Sequence, residues 1–288
     1  MNLRNLIYAT AASVVIASPV AAGSPPFDSR AMAPADAVFQ VERDFDAYTH
    51  DHGYNKGFYA YSAPGALEFD SGPTPIHEQL QAKLLKDSSE KDAPSKLRWQ
   101  PFDVDVAGSK TMAWDLGTWQ VEGTKQAGWF FTIWQKQANG HWLWVLDTGA
   151  GPAGAAPLQA RLYTIAKTWP HAELKAVGGV RGLDERLNAA LAKGAASDVY
   201  APRLVDLRMV GGDTASPAYG KSDMPALLAS RPQGLSWTFD GQGASSMGDM
   251  VYTYGHAGSP QRGYYVRVWQ RETPTGAWKL IADIYQSS

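Results

Sequence analysis

One pattern occurs twice in this chain, and it limits the available folds more than any other feature. Gly128-Trp-Phe-Phe-Thr-Ile-Trp134-Gln135, followed by Asn139-Gly140-His-Trp142 and Asp147, returns as Gly263-Tyr-Tyr-Val-Arg-Val-Trp269-Gln270, followed by Gly276-Ala-Trp278 and Asp283. Trp134 and Trp269 lie 135 positions apart and Asp147 and Asp283 lie 136 apart, so one inserted turn residue accounts for the difference. Upstream, Leu97-Arg-Trp99 answers Leu235-Ser-Trp237, and Asp115-Leu116 answers Asp249-Met250. Two copies are too few to stack as a solenoid. The pattern therefore describes a duplicated domain, with units over residues 33–149 and 180–288 and a connector over 150–179 that starts rich in Gly, Ala and Pro.

Each unit carries the same local code: helices first, strands last. Val38, Val41, Phe45 and Tyr48 follow helical spacing behind Pro34, which suits a first helical turn. Thr74 can cap a second helix with Pro75 at its first position and Ile76, Leu80 and Leu84 along one face. In the second unit Leu183, Leu187 and Leu191 mark one helix, and Ser222 caps another that carries Met224, Leu227 and Leu228. Aromatic and β-branched runs over 111–121, 128–136 and 142–148, and again over 249–255, 263–271 and 278–286, read as strands, with hairpin turns at Asn139-Gly140 and Thr275-Gly276. Early helices and late strands imply an α+β fold of two cone-shaped units, each with helices packed on a curved antiparallel sheet rather than a parallel βαβ design. Large apolar residues stand at both odd and even strand positions, as in Leu143 and Trp144, whereas a sheet with one wet face would alternate. The second face is expected to pack on the sister sheet, making a pseudo-dimer within one chain.

Gly-aromatic-x-x-Thr-Ile-Trp, an Asn-Gly turn and Trp-x-x-x-x-Asp at residues 128–147, with their repeat at 263–283, resemble the end of the SnoaL-like branch of the nuclear transport factor 2-like superfamily. The resemblance spans residues 35–149 and 180–286 and is clearest in the last two strands of each unit. It implies a cone with a pocket between helices and sheet, in a superfamily that includes ketosteroid isomerase, limonene epoxide hydrolase, polyketide cyclases and domains that bind ligands or only dimerise. Fold alone does not choose among these.

The ends and the composition narrow the choice. Arg4, an apolar run over 6–16 and Val20-Ala21-Ala22 before Gly23 form a secretory signal over residues 1–22, which places the protein in the periplasm or outside the cell. The run is too short to span a bilayer, and no membrane association is expected. The chain has no cysteine, which excludes disulfides, thiol catalysis and cysteine-metal sites. A formal net charge of −2 with interspersed signs offers no basic stripe for nucleic acid.

The candidate chemistry is sparse. Enzymes of the superfamily place a carboxylate in an apolar cone, where desolvation raises its pKa toward that of a useful base. Asp147, on one strand face with Leu143 and Val145, is the candidate catalytic residue, although Asp283 repeats it and both can be structural anchors. Asp103 and Asp105, Glu68 and Asp70, and Asp206 and Arg208 alternate with apolar neighbours and read as solvated faces. Gly149-Ala-Gly151-Pro-Ala-Gly154 matches a dinucleotide-loop spacing, but Pro152 and the antiparallel setting favour a connector, and no cofactor is expected. His50-Asp51-His52 does not place two imidazoles on one helical face, so no metal site is expected. Tyr59, Tyr61, Trp99, Trp119 and Phe131 are the expected lining of a ligand cavity. Three functions follow: binding of a small apolar molecule, isomerase, hydrolase or dehydratase chemistry with an Asp base, or a structural pair without ligand. An enzyme calls for a deeply buried, desolvated carboxylate beside Tyr or Arg in an open cone, a binder for an open apolar cone without one, and a structural pair for two filled cones.

Overall fold

The structure, a computed structural model, describes residues 33–69, 72–86, 94–150, 164–165, 179–213, 217–273 and 275–288. The expected secretory signal, Asp70 and most of the connector, including Gly151 to Gly154, lie outside these residues. In the first unit α1 (Pro34–His52) leads directly into α2 (Tyr54–Tyr61), then β1 (Ser62–Glu68), β2 (Thr74–Pro75) and α3 (Ile76–Lys86). Four long strands follow, β3 (Leu97–Val106), β4 (Met112–Val121), β5 (Ala127–Lys136) and β6 (Trp142–Ala150). The short β7 (Thr164–Ile165) adds an edge. The second unit repeats the order with α4 (Val180–Leu191), α5 (Ala196–Tyr200), β8 (Met209–Gly211), β9 (Ala218–Tyr219), α6 (Gly220–Ala229), β10 (Trp237–Ala244), β11 (Met250–Ala257), β12 (Gly263–Gln270) and β13 (Lys279–Ser287).

The sheet orders are β2-β1-β6-β5-β4-β3-β7 and β10-β11-β12-β13-β8-β9. The long strands are antiparallel as expected, but β1 joins β6, β8 joins β13 and β7 joins β3 in parallel, so both sheets are mixed. Thr74 and Pro75 pair with β1 instead of opening a helix, and α6 begins at Gly220, ahead of Ser222. Helix α2 escaped the sequence reading because its apolar residues run straight on from those of α1.

The duplication extends to irregularities in the backbone. Phe102 bulges out of β3 opposite β4, and Asp240 bulges out of β10 opposite β11. Val145 bulges out of β6, and Ile281 out of β13. A bulge adds twist and bends its strand, which is how each sheet curls into a cone. At the inside of that bend Gly117 pairs with Phe130 and Gly255 with Tyr265, each aromatic ring lying over the glycine of the next strand. Register also corrects the alignment of the units. Trp134 and Trp269 donate their indole N–H to Asp115 and Thr253, so Asp115 corresponds to Thr253 and not to Asp249.

Both faces of each sheet are buried, which explains the absence of alternation. Toward the helices, Val104, Val106, Trp134 and Trp144 pack on Val38, Val41, Phe45 and Phe58. Toward the sister sheet, Trp114, Leu116, Trp129, Phe131 and Ile133 join Met209, Met250, Val266, Val268 and Ile284 in one core. Polar ties frame this core: Ser109 donates its amide (2.6 Å) and hydroxyl (2.7 Å) to Asp249, and Arg208 pairs with Asp105. Asp105 is therefore not solvated, because the face it points to is covered by the other unit. Asp206 pairs instead with Lys279 at 3.3 Å and is part-exposed. The two sheet units form an internal pseudo-dimer.

A Cβ added at Gly117 would overlap the Gln100 carbonyl and the Phe130 ring, and one at Gly255 would overlap the Thr238 carbonyl. Gly117→Ala and Gly255→Ala should each cost on the order of 1–3 kcal/mol in urea denaturation. Gly182→Ala, inside α4 with only the flexible Arg186 nearby, should be neutral or stabilising by up to ~1 kcal/mol. Equal effects at the three positions would contradict this account of the bend.

Candidate functional site

The first cone opens to an interior cavity of about 230 Å³. Its walls are aromatic, with Phe45, Tyr54, Phe58, Trp99, Trp119 and Phe130, and among the described residues its charged lining consists of Glu42, Glu68 and Asp147. Helix α1 brings Glu42 to this point because Val38, Val41 and Phe45 bury the same stripe, leaving Glu42 only 1% exposed. The helix is locked to β3 by Asp46, which accepts from the Arg98 guanidinium at 2.7 Å and from the Trp99 amide at 2.9 Å. Trp99 then donates its indole N–H to Glu42 Oε1 at 2.5 Å. Across the cone Thr132 Oγ1 donates to Asp147 at 2.6 Å, and Tyr54 donates its hydroxyl to Glu68 at 2.5 Å.

Behind Glu42 lies Asp115, fully buried, accepting the Trp134 indole N–H at 3.1 Å. The Glu42 and Asp115 carboxyls face one another within hydrogen-bonding reach and shift one another. Burial first, then the charge of Asp115, pushes Glu42 well above the usual carboxylate range. Burial likewise pushes Asp115 up to about 8, opposed by the neighbouring Glu42 carboxyl and the Trp134 indole, while the charge of Asp147 adds to the rise. Two carboxyls withdrawn from water without a counter-charge favour their protonated forms.

The second cone solves the same problem with a cation. Arg267, 0% exposed, donates from Nε to Asp283 at 2.7 Å and from Nη1 to Asp184 at 3.0 Å, and its guanidinium lies over the Tyr265 ring at 4.0 Å. Arg231 also pairs with Asp283, and Tyr200 donates to it at 2.5 Å. Tyr265 and Thr253 donate to Asp184 at 2.6 and 2.8 Å. Despite complete burial, Asp283 is held below its ordinary value by Arg231 and Arg267. This network occupies the interior.

Of the residues expected from sequence, Asp147, Trp99 and Trp119 line the cavity. Phe131 points the other way, stacked on Trp114 at 5.3 Å in the inter-unit core, and its neighbour Phe130 takes the place inside the cone. Val145, at the β6 bulge, likewise packs in the inter-unit core, away from the Asp147 carboxyl. Tyr61 is core, stacked on Phe45 at 5.0 Å, and Tyr59 accepts a hydrogen bond from Gln81 at 3.0 Å away from the cavity. Glu68 faces the cavity rather than solvent. Glu42 and Asp115 were missed, since a single Glu within α1 and a single Asp within β4 carry no spacing signature. A larger open hollow of about 590 Å³ lies beyond Trp99 and Trp119, edged by Arg43, Asp46, Arg98 and Glu122. Among the described residues no cluster of three or more His, Asp or Glu is arranged to hold a metal, and His50 instead meets the Ser95 carbonyl at 3.0 Å.

Solved structures give a likeness for a single unit. An NTF-2-like protein of unknown function from Shewanella oneidensis MR-1 is 15% identical, matching 41% of this chain and 98% of its own with a TM-score of 0.34. A DUF3225-family protein of unknown function from Pectobacterium atrosepticum is 16% identical, with 42% and 98% covered and a TM-score of 0.32. An NTF2-like protein with a cystatin-like fold from Novosphingobium aromaticivorans is 17% identical, with 38% and 79% covered and a TM-score of 0.28. What the chain is similar to is the NTF2-like fold. No protein-family model matches it, and no curated protein matches it. These likenesses concern fold alone.

Two consequences are measurable. As pH rises from about 4 to about 8, unfolded carboxyls ionise while Glu42 and Asp115 retain protons, so the unfolded chain binds fewer protons and stability falls. Asp115→Asn should flatten the decline in Tm over that window, and an unchanged pH profile would refute the assignment. Arg267→Met strands Asp184 without its cation and leaves Asp283 with Arg231 alone, and should cost roughly 3–5 kcal/mol in urea at pH 7. A loss under ~1 kcal/mol would show that the network is not what supports the second unit.

Proposed function

We propose that this chain is an exported small-molecule-binding protein whose working cavity is the cone of the first unit, and that the second unit is its structural partner. The observation that carries this reading is the contrast between equivalent interiors: one is filled by Arg267 and its carboxylates, while the other is left open and walled by aromatic rings. A purely structural pair has no reason to keep an open cone with half-buried Trp99 and Trp119 at its mouth, since filling it would gain stability. A cavity of this size lies below the roughly 300–1,000 Å³ of pockets for drug-sized ligands, so the bound molecule is compact. The rings supply an apolar surface, and the carboxyls fix orientation.

General acid–base chemistry on the bound molecule is the second reading. It is favoured by one arrangement: Glu42, which burial pushes well above the usual carboxylate range, and Asp147, which lies on the cavity wall beside Thr132, face one space. Two carboxyls that face one bound molecule from opposite walls can serve it as acid and base.

Native mass spectrometry of the protein purified from its own cells should detect a compact molecule released on denaturation, and titration with it should change the fluorescence of Trp99 and Trp119. Gly149 borders the cavity, and a Cβ added there would meet only ordinary contacts, so Gly149→Leu should fill the space and reduce binding about tenfold or more. An empty protein whose fluorescence answers to no compact ligand, with Gly149→Leu more stable than the parent, would favour the structural reading.

A further inference from the structure

The second cone displays what this arrangement of side chains binds when the cation is supplied by the chain itself. Its guanidinium is held between Asp184 on α4 and Asp283 on β13, over the rings of Tyr265 at 4.0 Å and Trp237 at 5.6 Å. Each of these four residues has a counterpart in the first cone. Glu42 matches Asp184, because both stand four residues before the partner that closes the helix stripe, Asp46 and Asn188, and one turn after Val38 and Val180. Asp147 matches Asp283 through its pairing with Thr132, as Asp283 pairs with Arg267. Phe130 matches Tyr265 across the bend glycine, and Trp99 matches Trp237 three residues before the bulge. All four counterparts line the open cavity, and the residue in the place of Arg267 is Thr132.

We infer that the first cone binds a compact organic cation, a flat guanidinium, amidinium or alkylammonium, in the position that the Arg267 side chain takes in the second cone. The inference rests on the small-molecule reading of that cavity and names its ligand class. Two further observations point the same way. Glu42, 1% exposed, borders the cavity with the Asp115 carboxyl behind it and no Lys or Arg in the cavity lining among the described residues, so the site holds buried acidic groups without a cation. The facing rings of Trp99, Phe130 and Phe58 offer the cation–π surface on which a desolvated cation gains most. The groups that face the ligand are Glu42 from α1, Tyr54 from α2, Glu68 from β1 and Asp147 from β6, with Asp115 from β4 behind Glu42. A cation here favours ionised carboxyls, so binding releases protons and strengthens as pH rises toward 8. A carbonyl or anionic ligand that accepts from protonated carboxyls would show the opposite trend.

Isothermal titration of the full chain with benzamidine, its neutral isostere benzamide and the anion benzoate at pH 6 and 8 tests this. Benzamidine should bind at least about tenfold tighter than benzamide, and tighter at pH 8 than at pH 6, with benzoate weakest. Glu42→Gln should remove most of the preference for benzamidine over benzamide. Thr132→Arg should abolish benzamidine binding by rebuilding the second cone's solution in the first. Benzamide or benzoate binding as tightly as benzamidine, with the Gly149→Leu variant blocking all of them, would overturn the cation and leave the cavity assignment standing. If none of the three probes binds the parent, the cation class falls, while the cavity assignment stands or falls by the mass-spectrometric and fluorescence tests of the native ligand.

Discussion

A carboxylate taken out of water must find a cation, a full set of donors or a proton, because its uncompensated charge in an apolar interior costs more than a fold of this size can spare. Both cones of this chain bury a carboxyl at the same point of the scaffold, Glu42 on α1 and Asp184 on α4. In the second cone Arg267 lies between Asp184 and Asp283, and Tyr200, Tyr265, Thr253 and Arg231 saturate what the guanidinium does not reach. In the first, Thr132 replaces the arginine, so Glu42 and Asp115 hold protons instead. The exchange of Thr132 for Arg267 is central to what separates a closed electrostatic network from an open cavity with acidic walls.

This division follows from how a duplicated unit can specialise. The two sheets need each other: each presents an apolar face, Trp114 and Phe131 on one and Met250 and Val268 on the other, that only the sister sheet covers. Neither unit can lose its cone geometry without uncovering that core. The requirement applies to the shape of both units and to the chemistry of neither interior. One interior can therefore be committed to rigidity and the other left to a ligand. The bulges at Phe102 and Asp240, and at Val145 and Ile281, record the shared shape. The exchange of Thr132 for Arg267 records the difference.

Much of the fold was legible in the chain because it is written in local chemistry. The aromatic and β-branched runs, the Asn139-Gly140 turn and the leucine spacing of α4 each depend on nearest neighbours, and the duplication follows from comparing the chain with itself. Absence of alternation in the strands foretold a sheet covered on both faces. The same logic failed at Asp105, whose outward position says nothing of whether water or another unit lies outside. It failed by one residue at Phe130 and Phe131, since a strand's two faces are told apart by packing rather than by residue type when both are buried.

The sequence by itself determined that two copies of one α+β unit would form, where their strands run, and that Asp147 and Asp283 are equivalent. Tertiary structure alone decided that Glu42 of a helix, Asp115 of one strand and Asp147 of another converge on a single cavity, and that Thr132 stands in the place of Arg267. The physical reason is that the charge state of a buried group depends on its neighbours in space, drawn here from segments as far apart as residues 42 and 147, whereas the sequence displays only its neighbours along the chain.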